Sequence, residues 1–209
     1  GVTDTDTAIE ALVRGDTRSC DVVKITHGDA SEARQTTGRS DGDAHHLYYI
    51  NLMSVGFSAR VGALTNRRFK PFGAAGYAMA VGASVVGLEQ PRYAVSLDGG
   101  EQDDRPCTLF SFSNSRYTGG TMMMAPEADP GDGYVDVIRI GELSRLGLLR
   151  AFPKIYQGTH VALDAVETSR ARRVDFEGVG TLDCMIDGEI LSLALRSLEV
   201  LPSTLEVVA

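Results

Sequence analysis

With 209 residues, 43% of them hydrophobic, the chain can bury a core of its own, which excludes a disordered tail and suits one large domain or one domain with an appendage. A formal net charge of −8, with no Lys/Arg cluster interleaved with aromatics, excludes a general polyanion binder and so speaks against nucleic acid as a partner. Cys20, Cys107 and Cys184 are widely spaced, match neither a disulfide framework nor a zinc site, and fit a reducing, cytoplasmic setting.

In chain order, Asp4 or Thr5 caps a short amphipathic helix through Val13, with Ile9, Leu12 and Val13 on one face and Gly15 as its stop. Residues 1–15 have neither the basic nor the apolar region of a signal peptide and read as a truncated start. Cys20 to Thr26 alternates as a strand, residues 27–45 are a polar loop, and Leu47 to Val55 is a strand covered on both faces. The loop thus joins two strands that pair with each other. His45 and His46 are adjacent in a strand, point to opposite faces, and mark an exposed strand start rather than a metal site. Arg60 to Lys70 reads as a helix with Arg67, Arg68 and Lys70 at its end, either a solvated terminus or a hold for phosphate or an anionic headgroup. Residues 71–88 carry no charge, but their Ala and Gly content is weakly apolar. They suit a buried helix or a pair of short helices better than a span, and leave contact with a membrane surface open.

Tyr93 to Leu97 and Thr108 to Phe112 read as strands flanking a hairpin-like connection, with Asp98-Gly99 as its turn signal. Tyr134 to Ile140 is another strand. Leu143, Leu146, Leu149 and Phe152 recur at helical spacing and define an amphipathic helix packed on the sheet. Strands follow at Ala162 to Thr168, Arg173 to Phe176, Leu182 to Ile186, Leu195 to Leu201 and Leu205 to Val208. Without strict βαβ alternation, a GxGxxG or a Walker loop, the pattern predicts a mainly β, α+β fold: an antiparallel β-sandwich with helices attached to its edge.

Two stretches carry candidate chemistry. From Asn114 to Asp136 a glycine pair, a proline-bounded acidic loop and a closing strand follow one another. Asp129, Asp132 and Asp136, spaced around Pro130, Gly131 and Gly133, either converge on one small hard cation or make a solvated turn before a strand. In Asp187-Gly188-Glu189, the Asp sits just beyond an apolar strand, where desolvation raises a carboxyl toward a useful base. The same dipeptide is a common hairpin turn, and Asp-Gly steps also occur at Asp41, Asp98 and Asp132. There is no GxSxG elbow, and His160 has no partner that sequence identifies. Met122, Met123 and Met124 cannot share one face and instead fill irregular core space or touch an acyl chain.

Four ordered motifs carry a resemblance: INLMSVGFSARV from Ile50, SNSRYTGGTMMMAPEADPGDGYVDV from Ser113, KIYQGTHV from Lys154 and IDGE from Ile186, followed by a closing SLEVLPSTLEVV. Together they resemble the C-terminal half of the diacylglycerol kinase catalytic family, which includes bacterial lipid kinases and sphingosine and ceramide kinases. The likeness runs from about Gly15 to the end. It implies a C-terminal antiparallel β-sandwich and an ATP site in a preceding α/β domain with a GGDGT signature, which this sequence lacks. Residues 1–26 would then be the hinge helix and first strand after that domain, 27–45 a loop, and 46–209 the sandwich, a fragment inactive alone.

By the same resemblance, Asp187 is the general base toward a lipid hydroxyl, and Glu189 lies beside the nucleotide or the base. Asp132 is the side-chain ligand of a structural Mg²⁺ to which Asp129 and Tyr134 add backbone carbonyls. Asn114, Gly119 and Gly120 stand at a strand entry near the interdomain cleft. ATP and Mg²⁺ are the implied cofactors and a diacylglycerol-like lipid the implied substrate, with peripheral contact at the inner membrane face and a homodimer through sheet edges left open. An acyl pocket between slightly parted sheets would be lined by Leu52, Met53, Phe57 and Phe112, the alternative being that these fill the core. A non-catalytic lipid-binding module and an NAD-kinase-like enzyme are the competing readings.

Overall fold

Apolar residues that alternate along strands, and strands that are apolar on both sides, decide how this chain layers. A computed structural model of the chain describes residues 5–28 and 44–208. The elements are α1 (Thr5–Arg14), β1 (Thr17–Gly28), β2 (His45–Tyr49), β3 (Leu52–Gly56), α2 (Phe57–Leu64), α3 (Gly73–Val86), β4 (Val95–Leu97) and β5 (Leu109–Ser113). A small ribbon of β6 (Tyr117–Thr118) and β7 (Met122–Met123) precedes β8 (Val135–Ile140) and α4 (Arg145–Ala151). The chain closes with β9 (Val166–Ala171), β10 (Arg173–Phe176), β11 (Leu182–Ile186) and the long β12 (Glu189–Val208).

All strand pairs are antiparallel, and β12 belongs to both layers. Its start, from Glu189 to Leu193, pairs with β11, and its remainder, to Val208, pairs with β1. One layer runs β2-β1-β12-β10-β4 and the other β12-β11-β3-β5-β8-β9. Between them lie Val23, Ile25, Met53, Val55, Phe110, Phe112, Val135, Val137, Val174, Phe176 and Leu198. The intervening residues of β3, β5 and β8, among them Leu52, Leu109, Ile138 and Ile140, pack outward against Met122, Met124 and Ile155. Both faces of the second layer are therefore covered, which is why β3 lies in a stretch that reads as apolar on both sides. Phe112 stacks on Phe110 at 5.8 Å and meets Phe176 edge-on at 5.5 Å, geometry worth about 0.5–1.5 kcal/mol per pair beyond area burial.

The expected antiparallel sandwich with attached helices is the observed architecture, and β1 and β2 pair as the loop reading required. Asp4 and residues 29–43 of that loop lie outside the described residues. Several boundaries differ. The single strand expected over 47–55 is two strands in different layers, broken at Ile50-Asn51. β4 and β5 do not form a hairpin, because β4 pairs with β10 and β5 with β3 and β8. The turn after β4 is nevertheless real: Asp98, at φ 49, accepts from the N–H groups of Arg172 and Arg173 and so ties that turn to β10. The two closing strands are one strand that carries Pro202. The helix expected over 60–70 begins at Phe57 and ends at Leu64, followed by a π-helical turn at Thr65–Phe69.

The phase of α4 also differs from expectation. Leu148 and Ala151 are its buried residues, while Leu146 and Leu149 are exposed. Ile9, Leu12 and Val13 of α1 are exposed too, with Ala11 the buried residue of that helix. Gly56 connects β3 to α2 at φ 91, and a Cβ there would stand 2.7 Å from the Thr108 carbonyl oxygen, so the junction requires glycine.

Candidate functional site

The break between β2 and β3 is where the separate motifs meet. Asp187 occupies the tight turn from β11 to β12 at φ 45, a left-handed conformation that Asp tolerates better than most residues. Its N–H donates to the Leu52 carbonyl at 3.0 Å. In return its carboxylate accepts three backbone N–H groups: Oδ1 from Leu52 at 2.9 Å and Asn51 at 3.1 Å, and Oδ2 from Ile50 at 3.0 Å. An ionised carboxylate offers about four acceptor positions, so these three bonds leave one position on Oδ2 unused. Asp187 is exposed, so the desolvation expected from its place after an apolar strand does not occur; hydrogen bonds, not burial, define its environment. Glu189 opens β12, opposite Ile186, and is likewise exposed.

Asn114 meets the same turn through that turn's carbonyls and is fully buried. Its backbone N–H donates to the Asn51 carbonyl at 2.8 Å, and its Nδ2 donates to the carbonyls of Ile50 at 2.9 Å and Asp21 at 3.0 Å. Its Oδ1 is buried with no hydrogen-bond partner among the described residues. Ser115 adds a hydroxyl contact to the Asn51 side chain. Gly119 and Gly120 form the tight turn of the β6/β7 ribbon, at φ 56 and 86, and among the described residues none of their hydrogen bonds reaches the turn at 50–52.

A residue that sequence reasoning missed joins this turn to the acidic loop. Asp21 is fully buried; its carboxylate accepts from Gly133 N–H at 2.7 Å and Ser203 N–H at 2.8 Å, and its own N–H donates to the Pro130 carbonyl at 2.6 Å. The available signal was a carboxylate inside an apolar strand, CDVVKI, at the place where the pairing of β1 with β12 slips register. Such a group survives burial only if its hydrogen bonds are made.

The loop that begins at Asp129 turns its carboxylates to nearby backbone N–H groups and to Arg170. Asp129 Oδ1 accepts from Gly131 N–H at 3.1 Å. Asp132 Oδ1 accepts from Tyr134 N–H at 3.0 Å, and its Oδ2 forms an ion pair with Arg170. The Arg170 and Arg172 guanidiniums each lie 4.8 Å from the Tyr134 ring centre, and Arg170 Nε is 3.9 Å from Asp136 Oδ2. Burial, with the nearby charge of Glu127, pushes the Asp136 carboxyl up to about 6. Among the described residues no group of three or more His, Cys, Asp or Glu is disposed around a metal position. As arranged here, Asp132 Oδ2 pairs with the Arg170 guanidinium, whereas the Mg²⁺ reading draws on that carboxylate together with the backbone carbonyls of Asp129 and Tyr134. The guanidinium supplies the positive charge.

One cavity, about 500 Å³, lies under the helices, and a smaller one, about 250 Å³, lies between the layers beside Val95, Phe110 and Val137. The larger opens between α2, α3 and the segment that leads into β4, lined by Phe57, Leu64, Pro91 and Tyr93 with Arg60 and the buried hydroxyl of Ser84, which has no hydrogen-bond partner among the described residues. Leu52, Met53 and Phe112, expected to line an acyl pocket, are at most 1% exposed and belong to the packed core, whereas Phe57 does line the larger cavity. The methionine run is structural: Met122 and Met124 fill the outer cluster, and His160, buried, contacts the Met124 carbonyl through Nε2 at 3.0 Å.

The diacylglycerol kinase of Mycobacterium tuberculosis is 32% identical over 167 residues, 80% of this chain and 54% of that protein. A probable YegS-like lipid kinase of Shewanella frigidimarina is 26% identical over 167 residues, 79% of this chain and 53% of that protein. The chain thus spans about half the length of the curated relatives it matches. A putative diacylglycerol kinase of Bacillus anthracis superposes with a TM-score of 0.63 over 97% of this chain and 60% of that one at 17% identity, a likeness of fold. The model of the YegS C-terminal NAD kinase beta sandwich-like domain matches residues 51–209, and the chain belongs to that family.

Proposed function

We propose that this chain is the acceptor-side domain of an ATP-dependent lipid kinase, which transfers the γ-phosphoryl group of ATP to the hydroxyl of a diacylglycerol-like lipid. The observation that carries the reading is the convergence of Asp187 and Asn114 on the turn at Ile50–Leu52. Three backbone N–H groups fix the Asp187 carboxylate and leave a lone pair of Oδ2 for a substrate hydroxyl. As that oxygen bonds to phosphorus and the bond to ADP breaks, its proton passes to Asp187. Such chemistry asks mainly for position and charge neutralisation. Glu189, exposed beside this turn, is assigned to the nucleotide side, and Asn114, Gly119 and Gly120 to the wall of a cleft shared with a nucleotide-binding domain outside this chain. ATP and its accompanying Mg²⁺ are bound chiefly by that domain, so this chain alone turns nothing over.

The acyl chain of the acceptor is assigned to the cavity under α2 and α3. β3 runs from the Asp187 turn to the cavity mouth at Gly56, about 13–16 Å at some 3.3 Å per residue, a distance an acyl chain spans. Phosphorylation of diacylglycerol by the full-length protein, compared with its Asp187→Asn variant, tests the reading. A loss of roughly a hundredfold or more in kcat is expected for a general base. One observation favours a second reading, a lipid-binding module without chemistry: a carboxylate capped by three N–H groups is also what a purely structural clamp requires. A full-length protein that binds lipid and never phosphorylates it would select that reading.

A further inference from the structure

The helices on the outer side of the second layer present an unusual surface. α3 contains no charged residue, yet among the residues whose burial is described Met79, Gly82, Ala83 and Val86 are exposed, Val86 to 70%. Phe72, seven residues before Met79, is 59% exposed at the helix entrance. A helix that is apolar all round is ordinarily buried. Beside it packs α4, whose outward residues Leu146 and Leu149 are 55% and 47% exposed and are bracketed by Arg145 and Arg150. The π-helical turn that also packs on α3 presents Arg67 and Arg68. Segments 57–88 and 143–163 together hold seven Lys or Arg and no Asp or Glu, in a chain whose net charge is −8.

We propose that the outward faces of α3 and α4, with Arg67, Arg68, Arg145 and Arg150, form a docking surface for an anionic lipid bilayer. The two components match the two of a lipid surface: apolar side chains enter the acyl boundary, and arginines meet the headgroup phosphates. A second copy of the chain is a poor occupant, since it would bring two basic faces together, and a nucleic acid would leave the apolar stripes in water. No helix among the described residues is long and apolar enough to cross a membrane, so the helices lie on the surface. The assignment takes its purpose from the lipid-kinase reading, since the acceptor resides in a bilayer and the cavity under α2 and α3 opens next to this face. Its test needs neither ATP nor diacylglycerol and stands or falls separately.

The test is co-sedimentation of this chain with vesicles of phosphatidylcholine alone and of phosphatidylcholine with about one third phosphatidylglycerol. The expected result is partition at least roughly tenfold stronger on the mixed vesicles, weakened by added salt. Replacing Arg67, Arg68 and Arg150 together by Ala should lose about tenfold or more on those vesicles, and Met79→Ser with Val86→Ser a comparable amount. All five side chains are exposed, so unchanged thermal melting verifies that the fold is intact. Equal partition on both vesicles, no partition at all, or well-folded variants that bind like the wild type would overturn the proposal. So would a solution dimer that Val86→Ser dissociates, which would give the face to a second copy.

Discussion

The Nδ2 of Asn114 donates to the carbonyl of Asp21 across 3.0 Å, and through that bond the acidic loop and the Asp187 turn become one network. Asp21 holds Gly133 and Ser203 by its side chain, Asn114 holds the carbonyls of Ile50 and Asn51, and Asp187 holds the N–H groups of the same two residues and of Leu52. Residues far apart in sequence are thereby fixed relative to one turn, which is how a fold places a functional group more accurately than a free loop can.

Removing Asp21 should therefore cost more than a surface carboxylate would. Asp21→Ala removes the buried acceptor of the Gly133 and Ser203 N–H groups and is expected to lower stability by about 1–3 kcal/mol. Its effect should be non-additive with Asn114→Ala, with a coupling of about 0.5–3 kcal/mol in a double-mutant cycle of denaturant unfolding. Strict additivity would mean that the two sides of the network do not communicate.

His160 gives the chain a signed pH response. Burial holds its imidazole below the ordinary value of about 6.5, against the opposing pull of its bond to the Met124 carbonyl. With the folded pKa depressed, the unfolded chain takes up the proton first, so stability falls as pH drops below about 6.5 and continues to fall toward the folded value. Asp136 acts in the opposite direction: raised to about 6 in the fold, it costs stability above that pH and less as pH falls toward 4. His160→Gln should remove only the first contribution. The variant's melting temperature is expected to drop less than the wild type's between about pH 7 and pH 5; parallel curves would contradict the assignment.

What sequence made legible was the fold class and the ordered motifs. Alternation in β5 and β8, and the glycine-bearing turns, point to strands wherever they occur, and the sandwich follows. Three things were not legible. The break at Ile50-Asn51 hides in a continuous apolar run, because β3 is covered on both faces and β2 leads directly into it. The phase of α4 was misread because Leu143, Leu146 and Leu149 present as regular a stripe as the residues that are buried; only the neighbours decide which side faces in. Asp21 escaped notice because its partners, Gly133, Ser203 and Asn114, lie about 90 to 180 residues away, and single-sequence patterns report local periods, not distant hydrogen bonds.

The loop at Asp132 should be indifferent to divalent cations. Its carboxylate is paired with Arg170, so melting temperature is expected to shift by less than about 1 °C with chelator or millimolar Mg²⁺. Arg170→Met removes the ion pair and one contact to the Tyr134 ring, and should cost about 1–2 kcal/mol. Part of that loss should return when Mg²⁺ is added. A saturable Mg²⁺ stabilisation of the wild type, abolished by Asp132→Asn, would show a resident metal instead.

The cavity under α2 and α3 predicts a chain-length effect. Ala63→Phe narrows it and is expected to raise KM for a long-chain diacylglycerol about tenfold in the full-length protein, with kcat and the KM of a short-chain analogue little changed. Equal effects on both substrates would place the acyl chain elsewhere.

The most direct test of the account is single-turnover phosphorylation of diacylglycerol by the full-length protein with Asp187 replaced by Asn, alongside measured lipid binding. The account predicts lipid binding close to wild type and a phosphoryl-transfer rate lower by roughly a hundredfold or more. A variant that binds lipid and phosphorylates it at the wild-type rate would show that Asp187 clamps the turn at 50–52 and takes no part in the chemistry.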